Sequence, residues 1–239
     1  MAERSFFRKI TFYLSAPRCV CCGVGLSIKE LALCEKCQRE LFVGSERDCS
    51  RCAKSLSECS CSPEYLTSHF VKRLSKTYRY LPTNENKPLS ALIFALKNTG
   101  RADVVELCAE IMAKAIINVF EKPTELIFTN VPRRRASILH FGHDHAELLS
   151  RRLAKHFSAE YKPLLKSLTK REQKKLSHEE RLKNVVLRPK KDIDLKGKRI
   201  IIVDDVVTTG ASLGTAASVI RSLGAKDIGG SALAIAYRD

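Results

Sequence analysis

From residue 88 onward the apolar positions fall into helical and strand periods that alternate along the chain. Pro88 opens a helix with Leu89, Leu92, Ile93 and Leu96 on one face, ended by Asn98-Thr99-Gly100. Asp103 caps a longer helix that carries Val104, Leu107, Ile111, Ala115 and Val119 at helical spacing. A short strand follows from Glu125 to Val131, closed by Pro132, and then a helix from about Asp144 to His156. A brief strand is expected at Tyr161 to Leu165 and a buried one at Arg199 to Val203. A helix from Ala211 to Leu223, capped by Gly224, precedes a last strand at Ile228 to Ala236. Strand, helix and strand in that order predict an α/β fold, a parallel sheet with covering helices.

Two stretches break this rhythm. Before Pro63 the chain is irregular and cysteine-rich, so the expected division is a small module over 1–66 and an α/β domain over 67–239. Lys166 to Lys198 is a long polar stretch, too long for an ordinary connection, which marks it as a functional or mobile loop. Its basic residues outnumber its acidic ones by more than two to one.

Composition narrows the classes. Of 239 residues 44% are apolar, enough for a core and too many for a disordered chain. No stretch approaches the length and apolarity of a membrane span, and Met1 to Ser15 lacks a signal-peptide pattern, so a cytoplasmic, reducing compartment is expected. Phe6, Phe7, Ile10, Tyr13 and Leu14 form a short helical stripe read as packing on the protein. The formal charge of +16 favours polyanionic partners, nucleic acid first and an acidic membrane surface second.

Nine of the ten cysteines lie between Cys19 and Cys61. In a reducing compartment paired cysteines favour metal over disulfide. Cys19-x-x-Cys22 and Cys34-x-x-Cys37 are separated by 11 residues, a spacing at which four thiolates wrap one tetrahedral zinc ion. Cys21 is a spare neighbour able to replace Cys19. Cys49-x-x-Cys52 with Cys59-x-Cys61 is less regular and fits either a second zinc or free thiols. Cys108 lies on an apolar helical face and reads as core. His140, His143 and His145 are read as a loop or structural group rather than a ligand set.

The sharpest chemical signal is the run from Ile200 to Ser212, in which a strand delivers Asp204 and Asp205 to a turn of Thr208, Thr209, Gly210, Ala211 and Ser212 that opens a helix. Free N–H groups at a helix start, two hydroxyl-bearing threonines and a glycine suit a phosphate. The two acids suit ligand hydroxyls or a divalent cation. Earlier, Arg133, Arg134 and Arg135 follow a strand end, and clustered guanidinium groups suit a diphosphate or form a solvated basic turn. Lys170, Arg171, Lys174 and Lys175 of the polar loop could close on a ligand or touch a nucleic-acid backbone.

The Asp204 to Ser212 run resembles the phosphoribosyl-pyrophosphate motif of type I phosphoribosyltransferases. That resemblance implies that Asp204 and Asp205 contact ribose hydroxyls and that Thr208, Thr209, Gly210, Ala211 and Ser212 hold the 5-phosphate. Arg133 and Arg134 stand where such enzymes place their pyrophosphate loop, and the segment with Lys174 and Lys175 where they place a mobile lid. With the cysteine module, the Leu96-Lys97 to Gly100 turn, and Gln173, Leu176, Arg181 and Asn184-Val185, the whole chain from Cys19 resembles the ComF family of competence proteins. One segment departs: that family has Gly-aromatic-Asn-Gln where this chain has Gly142-His143-Asp144-His145.

The resemblance implies a type I phosphoribosyltransferase-like sheet behind a zinc module, in a cytosolic protein that assists DNA uptake in natural transformation. The implied partners are single-stranded DNA, phosphoribosyl pyrophosphate with Mg2+, and a competence helicase with other uptake proteins. The competing reading is an active phosphoribosyltransferase that joins a base to a 5-phosphoribosyl group and releases pyrophosphate. For that reading no C-terminal hood is expected after the last strand, which leaves the cysteine module to supply one.

Overall fold

A computed structural model describes residues 17–43, 48–49, 51–56, 58–80, 86–168, 185–190 and 193–236. In chain order the elements are α1 (Glu35–Val43), α2 (Glu64–Ser68), β1 (Arg73–Arg79), α3 (Lys87–Thr99), α4 (Ala102–Ile117) and β2 (Ile127–Asn130). They continue with α5 (Arg135–Phe141), α6 (His145–His156), β3 (Glu160–Tyr161), β4 (Leu165–Ser167), β5 (Leu187–Pro189), β6 (Arg199–Val207), α7 (Ala211–Ser222) and β7 (Asp227–Ile235). Five strands form one sheet in the order β1-β7-β6-β2-β3, every neighbouring pair parallel. β4 and β5 form a separate antiparallel pair.

The sheet is covered on both faces, which is why β6 is a nearly unbroken apolar run rather than an alternating one. On one side Leu92, Leu96, Met112, Leu149 and Leu153 pack with Phe128, Ile201 and Val203. On the other, Leu66, Leu213, Ala217 and Ile220 pack with Ile200, Ile202 and Ile228. Cys108 is buried in the first core, and burial pushes its thiol upward, as an inert core residue should behave. The N-terminal module shares that core through Leu26, Leu33 and Leu41. Polar contacts fix the seam: Ala32 N donates to Asp103 Oδ2 (3.2 Å) and Arg101 Nη1 to the Arg18 carbonyl (3.0 Å).

The boundaries of α3 and α6 follow their caps, whereas α4 starts at Ala102 with no side-chain cap, so Asp103, expected as its cap, lies in its first turn. Asn86 Oδ1 accepts from Leu89 N (3.0 Å) at the start of α3, with Pro88 in its first turn and left-handed Gly100 at its end. Asp144 caps α6 through Ala146 N and Glu147 N.

The strands depart more from expectation. The strand expected at Arg199–Val203 runs on to Val207, because Asp204, Val206 and Val207 keep pairing with β7. The strand expected at Tyr161–Leu165 is split into β3 and β4 around Pro163, which has no N–H to give. β1, with the sequence RLSKTYR, carries no apolar alternation and was not foreseen. The apolar stripe at Phe6 to Leu14, and Lys170, Arg171, Gln173, Lys174, Lys175, Leu176, Arg181 and Asn184 of the polar loop, lie outside the described residues. Among the described residues no helix is long and apolar enough to cross a membrane.

Candidate functional site: two thiol sets and a phosphate turn

The first thiol set is built from two tight turns. Cys19 N donates to the Val24 carbonyl (2.8 Å) and Gly23 N to the Cys19 carbonyl (2.9 Å). Gly23 has φ +76°, a left-handed conformation that costs glycine nothing. Cys34 directly precedes α1 and Cys37 lies in its first turn. The sulfurs of Cys19, Cys22, Cys34 and Cys37 all lie within 4.8 Å of one another, and Cys22 Sγ is 3.6 Å from Cys34 Sγ. Tetrahedral Zn–S bonds of about 2.3 Å put sulfurs about 3.8 Å apart, so the set can hold a metal ion and fits zinc. Cys21 is not one of the four.

The thiols are also prepared electrically. Burial opposes ionisation of Cys19, but backbone hydrogen bonds from Cys22, Cys34 and Cys21 outweigh it and bring the thiol to about 7. Burial and its thiol neighbours push Cys37 upward. Four sulfurs so close cannot all ionise without a cation among them.

The second set repeats the first of these two turns. Cys49 N donates to the Lys54 carbonyl (2.8 Å) and Ala53 N to the Cys49 carbonyl (2.7 Å). Here the left-handed position is Ala53, at φ +52°, where the first turn has Gly23. The sulfurs of Cys49, Cys52, Cys59 and Cys61 lie within 4.8 Å of one another despite the short Cys59-x-Cys61 spacing. Strand β1 contributes the balancing charge. Lys76, buried, donates to the carbonyls of Cys59 and Cys61 (the latter 2.8 Å) and lies 3.4 Å from Cys59 Sγ. Burial opposes ionisation of Cys59, yet the Arg79 hydrogen bond, backbone and thiol partners and the Lys76 charge bring it to about 6.

At the other chemical centre, β6 carries Asp204 and Asp205 into the turn Thr208-Thr209-Gly210 that opens α7. Thr209 Oγ1 accepts from Ala211 N (3.2 Å), holding the turn. Gly210 has φ +80°, and a Cβ there would stand 2.7 Å from Leu66 Cγ, so both conformation and space demand glycine. Adjacent residues on a strand point to opposite faces, so the two acids meet different surroundings.

Asp205 is buried, with Lys97 Nζ 2.6 Å and His145 Nε2 3.6 Å from its Oδ2. Burial opposes its ionisation, but the Lys97 charge and then His145 hold its carboxyl well below the usual range. Asp204 is pushed well above that range by burial and by the Asp205 charge. One acid is thereby fixed as a carboxylate and its neighbour is biased toward the neutral form.

The arginine loop is more committed to the fold than its charge suggested. Arg133 donates to the carbonyls of Lys97 (3.0 Å) and His143 (3.4 Å), and its guanidinium lies 4.2 Å over the Phe141 ring. Its backbone N donates to Asp144 Oδ2 (2.8 Å). Arg134 precedes α5 and donates to Ser137 Oγ (3.3 Å), while Arg135 is exposed. Lys97, Asp144 and His145 are residues whose part in this arrangement sequence reasoning missed. The only signal for Lys97 was its place in the turn ending at Gly100; His145 was read as structural.

A parallel sheet with two acids running into a glycine turn that opens a helix, behind paired thiol sets, is that of a phosphoribosyltransferase-type domain preceded by a cysteine module that fits zinc. A family model described as the phosphoribosyl transferase domain matches residues 143–237. Competence protein F of Haemophilus influenzae is 28% identical over an alignment of 236 residues, covering 88% of this chain and 93% of that protein. The ComF-type resemblance read from the motifs thus extends along most of the chain. The ribose-phosphate pyrophosphokinase of Thermococcus kodakarensis is 51% identical over 37 residues, a local match covering 16% of this chain and 13% of that protein. Among solved structures, a purine phosphoribosyltransferase from Pyrococcus horikoshii is 22% identical with a TM-score of 0.36, covering 56% of this chain and 81% of that one.

Proposed function

We propose that this protein is a ComF-like competence factor that works in the cytoplasm, assists DNA uptake in natural transformation, and grips a phosphoribosyl pyrophosphate-type ligand with Mg2+. The observation that carries the ligand reading is the acid pair followed by the Thr208 to Ser212 turn, with Asp205 fixed as a carboxylate by Lys97. In this reading the acids accept from ribose hydroxyls, and Thr208, Thr209, Gly210, Ala211 and Ser212 surround the 5-phosphate. Asp204 would face the divalent cation and Arg134 the diphosphate. Zinc would occupy both thiol sets as scaffold, and the division at residue 66 is one of chemistry, with all eight paired thiols before it. Single-stranded DNA would be held by Arg135 and the polar loop, including Lys174 and Lys175, with a competence helicase as the protein partner.

Titration of phosphoribosyl pyrophosphate with Mg2+ by calorimetry tests the ligand reading. Charge-assisted hydrogen bonds contribute about 1.5–3 kcal/mol each, so Asp204→Ala with Asp205→Ala should weaken binding at least ~10-fold. Unchanged affinity in that double variant would place the ligand elsewhere.

One observation favours the transferase alternative. Pro63 and Leu66, directly after the cysteine module, pack against the Gly210 position, and Tyr65 OH lies 3.5 Å from Thr215 Oγ1 on α7. Chain from the module's end thus borders the phosphate turn, where an acceptor base would need a wall. Release of pyrophosphate on adding a base separates the two readings.

A further inference from the structure

We propose that a cavity at the amino ends of β1, β7 and β6 is a second phosphate-binding site, which takes a backbone phosphate of a nucleic-acid strand without reading its bases. The cavity holds about 410 Å3 and is lined by Lys72, Arg73, Arg199, Lys226 and Asp227. Arg73, Arg199 and Asp227 are the first residues of three strands that lie side by side. The parallel order therefore gathers them at one edge, opposite the end where the acid pair meets its turn. Asp204 is five residues along β6 from Arg199, about 16 Å at ~3.3 Å per residue, so these are separate sites.

Four cations line the cavity beside one carboxylate that is already in use, and Arg199 Nη1 also reaches Glu125 Oε2 (3.5 Å) beyond the lining. Asp227 pairs with the Arg73 guanidinium, and its Oδ2 lies 3.9 Å from Arg199 Nε. Arg73 is further held 5.1 Å over the Phe120 ring, and Arg199 Nη2 donates to the Glu121 carbonyl (3.1 Å). The arginines are thus preset, which lowers the entropy an anion must overcome on binding.

Lys72 and Lys226 are exposed and make no ion pair among the described residues. Their backbones are anchored, Lys72 N to the Ile228 carbonyl (3.2 Å) and Lys226 N to the Lys198 carbonyl (2.8 Å). Two rooted but uncommitted ammonium groups beside two fixed guanidinium groups leave an excess of positive charge that an anion would complete.

The lining also says which anion. No aromatic ring lines the cavity to stack on a base, and Asp227, its one acidic acceptor, is paired. Recognition is therefore electrostatic and blind to sequence, as for a strand's backbone. An orthophosphate ion offers the same chemistry, and the test distinguishes the two.

The test uses the full chain and the variant Lys72→Ala with Lys226→Ala, whose side chains are exposed and outside the ion pairs. Fluorescence anisotropy with a short oligothymidylate is measured across salt, and lysine acylation is mapped by mass spectrometry with oligothymidylate or inorganic phosphate added. If the one backbone phosphate held there is lost, the log–log salt slope should flatten by about 0.7. Protection of Lys72 and Lys226 by oligothymidylate supports the strand. Protection by inorganic phosphate alone, with the slope unchanged, supports the phosphate site but overturns the strand as its source. An unchanged slope with protection by neither probe overturns the proposal altogether. The variant should bind phosphoribosyl pyrophosphate as the wild type does, and protection should persist when Asp204 and Asp205 are both Ala. Failure of this proposal is therefore distinct from failure at the phosphate turn.

Discussion

Replacing Lys97 by Met removes the cation beside Asp205 while keeping most of the side chain's length. The two charges are 2.6 Å apart, Asp205 is buried and Lys97 is 29% exposed. At an effective dielectric of about 20, unit charges at that separation attract by about 6 kcal/mol, part of which offsets their desolvation. Removing one partner strands the other, so Lys97→Met should destabilise the fold by about 3–5 kcal/mol near pH 7.

The pH dependence sharpens this prediction. In the wild type Asp205 is depressed, so its stabilisation is present above the unfolded value of about 3.9 and is lost as pH falls through the folded one. Without Lys97, burial acts to raise Asp205 with only His145, 3.6 Å away, left to oppose it, and the sign reverses. The penalty is then absent below about pH 3.9 and grows as pH rises through the raised folded value. The stability gap between wild type and variant, measured by urea unfolding, should be widest at neutral pH, narrow toward pH 4 as the variant's penalty vanishes, and close only below that, as Asp205 of the wild type is protonated. Adding Asp205→Asn to the Met variant should recover much of the loss, because no charge is then stranded. A gap that stays constant with pH, or strictly additive single changes, would refute the ion-pair account.

Metal analysis should find two zinc ions per chain. Cys34→Ser should lose one of them and expose the N-terminal segment to protease, since structural zinc supplies on the order of 10 kcal/mol in small modules. Ala53→Gly should raise stability by about 1 kcal/mol in urea unfolding, because Ala53 sits at φ +52° where the matching turn has Gly23. Replacing Lys170, Arg171, Lys174 and Lys175 together by Ala should flatten the salt dependence of single-strand binding by about two to three units. An unchanged slope would remove the polar loop from the DNA site.

The longer helices α3, α4, α6 and α7 were legible because their periods are local, whereas the shorter α1, α2 and α5 were not foreseen. Asn86, Pro88, Gly100 and Asp144 do at the ends of α3 and α6 what their residue types favour anywhere. The acid pair and its turn were legible because strand, acids and glycine are contiguous. β1 was not, because its polar residues are spent on partners far along the chain: Lys76 on Cys59 and Cys61, Arg73 on Asp227. Lys97 and His145 were missed as a pair for the same reason. They come from two helices far apart in sequence and converge on Asp205 only because α3 and α6 cover the same face of the sheet. The left-handed turn at Ala53 was not legible because alanine rarely takes that conformation, and only the folded thiol turn puts it there.

The thiol sets and the phosphate turn are separate in chemistry but not in mechanics. The second set is tied to the sheet on two sides of its carboxyl-terminal end. Lys76 of β1 binds the carbonyls of Cys59 and Cys61 from one side. From the other, Pro63 and Leu66, two and five residues after Cys61, fill the space that Gly210 leaves by lacking a Cβ. A displacement of Cys61 must therefore move either a buried lysine on an edge strand or the residues that back the phosphate turn. Close-packed interiors transmit such shifts rather than absorb them. The carboxyl end of the cysteine module thus packs on the phosphoribosyltransferase-type domain, and the chain between its thiols and β1, with the short α2, is ordered by what it touches rather than by a long period of its own.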